Sequence, residues 1–115
     1  MARPLVELQN LTKSFNEAVI LASLAEGPKH GYQLVLVLSE RSEGMIEFNH
    51  GTLYPILHKL EKQGLIKGTW SEKPNERKRK SYTLLPKGRR YARDQREAWR
   101  LFVRRFFAVV GMEES

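Results

Sequence analysis

Cysteine is absent from the 115-residue chain, which excludes a disulfide scaffold, a thiolate metal site and a cysteine nucleophile. Long apolar runs are absent as well: none approaches the roughly 18 residues that a membrane span needs. Nothing resembles a secretory leader, so a cytoplasmic protein with no membrane partner is expected. No glycine-rich phosphate loop, nucleophile elbow or pair of catalytic carboxylates occurs. The histidines His30, His50 and His58 are scattered over the second and third expected helices with no carboxylate at ligand spacing, so no metal site is expected. Neither an enzyme nor a cofactor-dependent protein is indicated.

Acidic residues are scarce in one region. Between Lys59 and Arg105 stand 16 Lys or Arg and five Asp or Glu, a balance of +11 in a chain whose total is +7. The remainder is therefore mildly acidic, and the basic excess is local. A basic segment on a small domain suits a polyanion, of which nucleic acid is the commonest; the alternative is a solubilising charged surface.

Hydrophobic residues make up 41% of the chain, enough for one globular domain. Leu5, Leu8 and Leu11 are spaced by three in an N-terminal arm or short helix over 1–13. Ser14 and Glu17 have capping-box spacing, ahead of the nearly all-apolar Phe15–Glu26, which reads as a central buried helix ended by Gly27 and Pro28. A second helix is expected from Lys29 or His30 to Arg41, with Tyr32, Leu34, Val35 and Leu38 inward. Met45–Phe48 reads as a connection with some extended structure.

The third helix lies within Asn49–Gln63. Leu53, Ile56, Leu57 and Leu60 share one sector at 100° per residue, and Gly51, Pro55, His58, Lys59 and Lys62 occupy the opposite one. Pro55 belongs in a first turn, which sets the cap between Asn49 and Thr52. The period then changes to two. Leu65, Ile66, Gly68 and Trp70 read as a strand, Pro74 and Asn75 turn the chain, and Lys80–Leu85 returns through Tyr82 and Leu84. Pro86 opens a last helix reaching Val110.

Three helices, a hairpin and a long helix predict a mainly α fold with a small β-hairpin (α+β): a winged helix-turn-helix over 14–85 plus a C-terminal dimerisation helix over 86–115. In that architecture the third helix enters the major groove and the hairpin lies on the backbone or in the minor groove. Candidate DNA contacts are Asn49, His50, Gly51, Thr52, Tyr54, His58, Lys59 and Lys62 on the helix, where small residues allow close approach and polar ones read bases. Arg77, Lys78, Arg79 and Lys80 on the wing offer charge to phosphates. His30 sits where the second helix begins and free amides can hold a phosphate.

The runs HGYQL at His30–Leu34, GTLYPILHKLEKQGLI at Gly51–Ile66 and RKRKSYTLLPKGR at Arg77–Arg89, followed by a helix bearing a tryptophan, resemble the PadR family of bacterial and archaeal transcription regulators. The resemblance covers about residues 15–105. It implies a homodimer on a palindromic operator in double-stranded DNA, usually repressing, with the C-terminal helix forming the dimer. It also implies, for some members, release from DNA by a small aromatic ligand at the dimer centre. This chain is short-tailed, and its arginine-rich last helix suits a cationic ligand poorly.

Several residues have two readings. Tyr91, Ala98, Trp99, Phe102, Phe106 and Val109 step along the last helix as a dimer seam, and Trp99 is also the candidate effector-pocket residue; aromatic stripes are more often packing. Tyr54 either reaches DNA or packs its ring under the helix. Gly31 allows close packing, and Tyr32 and Trp70 are read as core or hairpin packing. The rival functions are a small-molecule sensor and an architectural protein that binds nucleic acid without sequence choice.

Overall fold

The computed structural model describes residues 6–74 and 77–113. Leu5 of the arm and Asn75 of the wing turn lie outside them. A 3-10 turn, Leu8–Asn10, leads into α1 (Leu11–Leu24), followed by β1 (Lys29–His30), α2 (Gly31–Arg41), α3 (His50–Lys62), β2 (Ile66–Trp70), β3 (Lys80–Leu84) and α4 (Pro86–Val110). The expected α+β winged-helix order is present, with one strand more than the sequence predicts. Among the described residues no helix is long and apolar enough to cross a membrane.

Helix α1 is the centre of the core: Ile20, Leu21 and Leu24 are fully buried and meet Leu34, Leu53, Leu57 and Leu60 from α2 and α3. It starts a turn earlier than the Ser14–Glu17 spacing predicts. Both residues face inward within the helix, and each finds a distant partner. The Glu7 N–H donates to Ser14 Oγ at 3.3 Å, and the Glu17 carboxylate meets Lys59 Nζ at 3.2 Å.

The extra strand is β1. It pairs antiparallel with β3, Lys29 opposite Tyr82 and His30 opposite Ser81, giving the sheet order β1-β3-β2. Two residues are too few to show a period. The extended structure expected at Met45–Phe48 does not form a strand; the Ile46 N–H donates to Ser42 Oγ at 2.7 Å, and Phe48 turns into the core. Tyr32 is not a core residue: beginning at Gly31, α2 aims Leu34 and Leu38 inward and leaves Tyr32 59% exposed.

Pro86 occupies the first turn of α4, where its missing N–H costs nothing. Gly88 is buried against the Leu65 backbone at the root of β2, and the Leu85 N–H donates to the Leu65 carbonyl at 3.0 Å. Further along, Tyr91 and Ala92 pack on the core, and Gln95 is buried, its amide nitrogen donating to the Tyr91 hydroxyl at 3.1 Å. Trp99 lies edge-on to Phe15 of α1 (5.8 Å between ring centroids) and to Phe102 (5.2 Å). Beyond Phe102 the helix leaves the domain, which gives the molecule its 56 × 35 × 23 Å extent.

Candidate nucleic-acid interface

Helix α3 is held by its buried face and presents the other. Leu53, Leu57 and Leu60 are buried and Ile56 packs beside them, while His50, Gly51, Thr52, Tyr54, Pro55, His58 and Lys62 are exposed. Asn49 is the cap: the Thr52 N–H donates to its side-chain oxygen at 2.9 Å. Pro55 is then the sixth helical residue, a turn beyond where the sequence reading places it. The bond it forfeits is the one to the Gly51 carbonyl, and both residues lie on the exposed face, where solvent can replace the lost donor.

Between α3, the start of α2 and the wing lies a cleft of about 740 Å³. Of the thirteen residues expected to touch DNA, His30, His50, Tyr54, His58, Arg77, Lys78, Arg79 and Lys80 line it. Asn49, Gly51, Thr52, Lys59 and Lys62 do not. Lys59 is turned to Glu17, which ties α3 to α1, and Lys13 beside it has an ammonium pKa lowered by the contact with Lys59 and its charge.

His30 joins His50 and His58 of α3 in this cleft, because β1 draws the start of α2 onto the wing's own strand β3. His50 and Tyr54 lie with ring centroids 5.5 Å apart. Both readings of Tyr54 have a structural counterpart. Its hydroxyl closes over Gly31, standing 2.7 Å from where a Cβ would be, yet the ring stays 40% exposed on the cleft. At the mouth of α2 the His30 N–H is already taken, donating to Gln33 Oε1 at 2.8 Å.

The wing pairs Ile66 with Leu84 through Trp70 with Lys80, and the Ser71 N–H donates to the Arg79 carbonyl at 2.8 Å, one step beyond the strands. Arg77, Lys78 and Arg79 are exposed. Lys80 is engaged: its Nζ lies 3.1 Å from Glu61 Oε1 and faces the rings of Tyr82 (5.5 Å) and Trp70 (5.9 Å). Trp70 is not core packing. β2 is an edge strand and its outer half runs past the core, leaving the indole 58% exposed.

Five cleft residues carry no contact assignment from sequence: Gly31, Tyr32, Glu61, Trp70 and Tyr82. Tyr82 is buried, and burial pushes its phenol pKa up, with Tyr54 and Glu61 adding to the rise. Glu61 stands two turns after Tyr54 on the same flank of α3, and that register is its signal in the sequence.

On α4, Tyr91 packs within its own subunit and Ala98, Trp99 and Phe102 are half-buried. Phe106 is 49% and Val109 85% exposed, beside the exposed Leu101, Val103 and Val110. Trp99 does not line the cleft; its indole nitrogen is buried with no hydrogen-bond partner among the described residues. No group of three or more His, Asp or Glu among those residues is arranged to hold a metal ion.

The model of the "Transcriptional regulator PadR-like family" matches residues 20–94. A solved transcriptional regulator from Clostridium thermocellum is 27% identical with a TM-score of 0.75, covering 88% of this chain and 95% of that one. A PadR family transcriptional regulator from Eggerthella lenta is 26% identical, with a TM-score of 0.74 over 92% and 90% of the two chains. Bacillus subtilis PadR, solved in complex with operator DNA, is 27% identical with a TM-score of 0.61; the match spans 68% of this chain and 44% of that longer one.

Proposed function

The chain belongs to the PadR-like family of transcriptional regulators, and from that premise we propose that it is a homodimeric, cytoplasmic repressor that binds a palindromic operator. The observation that carries the reading is the cleft, where the outward face of α3 and the cations of the wing meet on one side of the molecule. Short residues at the front of α3, Gly51 and Thr52, allow its close approach to base edges, with Tyr54 and His58 behind them as donors and acceptors. Arg77, Lys78 and Arg79 set register on the phosphates. Residues 14–85 act as the DNA-binding unit and 86–115 as the dimerisation helix, with the half-sites about 34 Å apart, one helical turn, or a multiple of that.

The seam is built from Phe106 and Val109 with their exposed apolar neighbours, continuous with Trp99 and Phe102. Trp99, already held edge-on between Phe15 and Phe102, serves packing rather than an aromatic effector.

Fluorescence anisotropy with the protein's own promoter duplex, run at several salt concentrations, tests the proposal. Binding should prefer promoter over scrambled duplex. Arg79→Ala should lower the slope of log K against log salt by about 0.9 per lost phosphate contact, or about twice that per dimer. Equal affinity for scrambled duplex overturns the specific-regulator reading.

A further inference from the structure

Among the described residues Glu61 is the only carboxylate lining the cleft, beside cations, imidazoles, phenols, the Trp70 indole and Gly31. Two electrostatic terms oppose it: a negative charge facing a polyanion weakens association, and the last turn of a helix disfavours an anion. What it does inside the subunit offsets both. Its Oε2 accepts the Gly68 N–H at 3.3 Å, and its Oε1 takes Lys80 Nζ at 3.1 Å. Gly68 belongs to β2 and Lys80 to β3, so this single side chain on α3 holds both strands of the wing.

The site is shaped for that link. A Cβ on Gly68 would overlap the Lys80 side chain, standing 3.2 Å from its Cδ and 3.1 Å from its Nζ. Glycine there lets Lys80 cross β2 to reach α3. The crossing chain is flanked by the Tyr82 and Trp70 rings, and the pair is about two-thirds shielded from solvent, with side-chain exposures of 27% and 31%. The link sits where the wing leaves the core. Ile66, Tyr82 and Leu84 are buried, whereas Lys67, Thr69 and Trp70 are exposed. Beyond the buried root, β2 has a free edge, and Gly68 donates to Glu61.

We propose that Glu61 is a positioning residue: through Gly68 and Lys80 it fixes the angle between the recognition helix and the wing, so that base and phosphate contacts stay in register on the operator. The inference rests on the DNA-binding reading above and deepens it. Lys80 is thereby assigned to geometry, and the exposed wing cations Arg77, Lys78 and Arg79 carry the phosphate contacts.

The two accounts of Glu61 differ in sign. Charge alone says that Glu61→Gln tightens binding to operator and scrambled duplex by the same factor. The clasp says that non-specific affinity holds or rises while the operator-to-scrambled ratio falls about tenfold or more. Lys80→Met should reproduce that loss with an unchanged salt slope, since Lys80 meets no phosphate. The double variant should be no worse than the poorer single one, because both break one link. Gly68→Ala should do the same without altering any charge, since only the flexible end of Lys80 must yield. Thermal midpoints within a few degrees of the parent separate this from unfolding.

Amide exchange on the free protein gives a readout independent of DNA: Glu61→Ala should speed the Gly68 amide tenfold or more and leave Leu57 and Leu60 of α3 unmoved. If the parent protein itself shows no operator preference, the regulator reading fails while amide exchange still decides the clasp. A parent that discriminates, with Glu61→Gln and Gly68→Ala preserving the full ratio, overturns the clasp alone.

Discussion

Gly88→Ala pits helix propensity against packing at one atom. On an exposed helix the change stabilises by up to about 1 kcal/mol, since alanine loses less backbone freedom on folding. Here the new methyl would overlap the Leu65 carbonyl oxygen and stand 2.8 Å from the carbonyl carbon and 3.1 Å from Cα, where ordinary contact begins at 3.4 Å. Its neighbour is backbone, so no side chain can swing aside. α4 must retreat by well over half an ångström, weakening the 3.0 Å bond from the Leu85 N–H to that same carbonyl and loosening Tyr91 and Gln95 behind it. Overpacking of this kind costs about 1–3 kcal/mol and a weakened backbone bond about 1 more, against the gain of about 1 from propensity. The net expectation is a loss of about 1–3 kcal/mol. Urea denaturation followed by far-UV circular dichroism measures it, with the slope m checked for constancy. A Gly88→Ala protein as stable as the parent, or more so, refutes the close approach of α4 to the wing root.

At Gly51 the balance reverses, since a Cβ would meet only Asn49 Oδ1, at 3.3 Å; Gly51→Ala should keep or slightly raise the melting temperature while cutting operator affinity about tenfold, and unchanged affinity would remove Gly51 from the interface. Phe106→Glu should leave the circular dichroism spectrum intact and convert a dimer into a 13.4 kDa monomer in sedimentation equilibrium; a sedimenting mass equal to that of the parent rules out this seam. Because burial raises the Tyr82 phenol above its ordinary value of 10.0, the folded state favours the neutral phenol. That contribution is whole below about pH 10 and is lost as pH climbs through the folded value. Tyr82→Phe should therefore flatten the alkaline fall in urea midpoint, and a fall as steep as the parent's contradicts the assigned cause.

Much of the fold was legible because long periodic segments announce themselves. Pro86 gave the start of α4, and Tyr91, Ala98, Phe102, Phe106 and Val109, stepping by three, four or seven, carried it to its end; Asn49 with Leu53, Leu57 and Leu60 gave the third helix. What escaped was non-local. β1 is two residues whose extended state comes only from pairing with β3, fifty residues on. The same pairing brings His30 to the cleft that His50 and His58 of α3 line, which no local rule foresees. Trp70 alternates like a buried strand residue, but its strand outruns the core, so the pattern is right and the burial wrong. Lys80 reads as one of four equivalent wing cations. Only the absent side chain at Gly68 and the carboxylate at Glu61 set it apart, and neither is visible until α3 and the hairpin are side by side.

Helix α4 is clamped at one end to the wing root by Gly88 and bears the exposed Phe106 at the other, 18 residues away. A straight helix makes that about 27 Å. In the proposed dimer this rod is a ruler: it translates the position of the seam into the separation of the two wings. Removing one residue from its middle would shorten it by about 1.5 Å but turn the seam by about 100°, pointing Phe106 away from its mate. Removing seven would restore the phase to within about 20° and draw the wings inward. Operator spacing would then be a property written in the length of α4, separable from the identity of the bases that α3 reads.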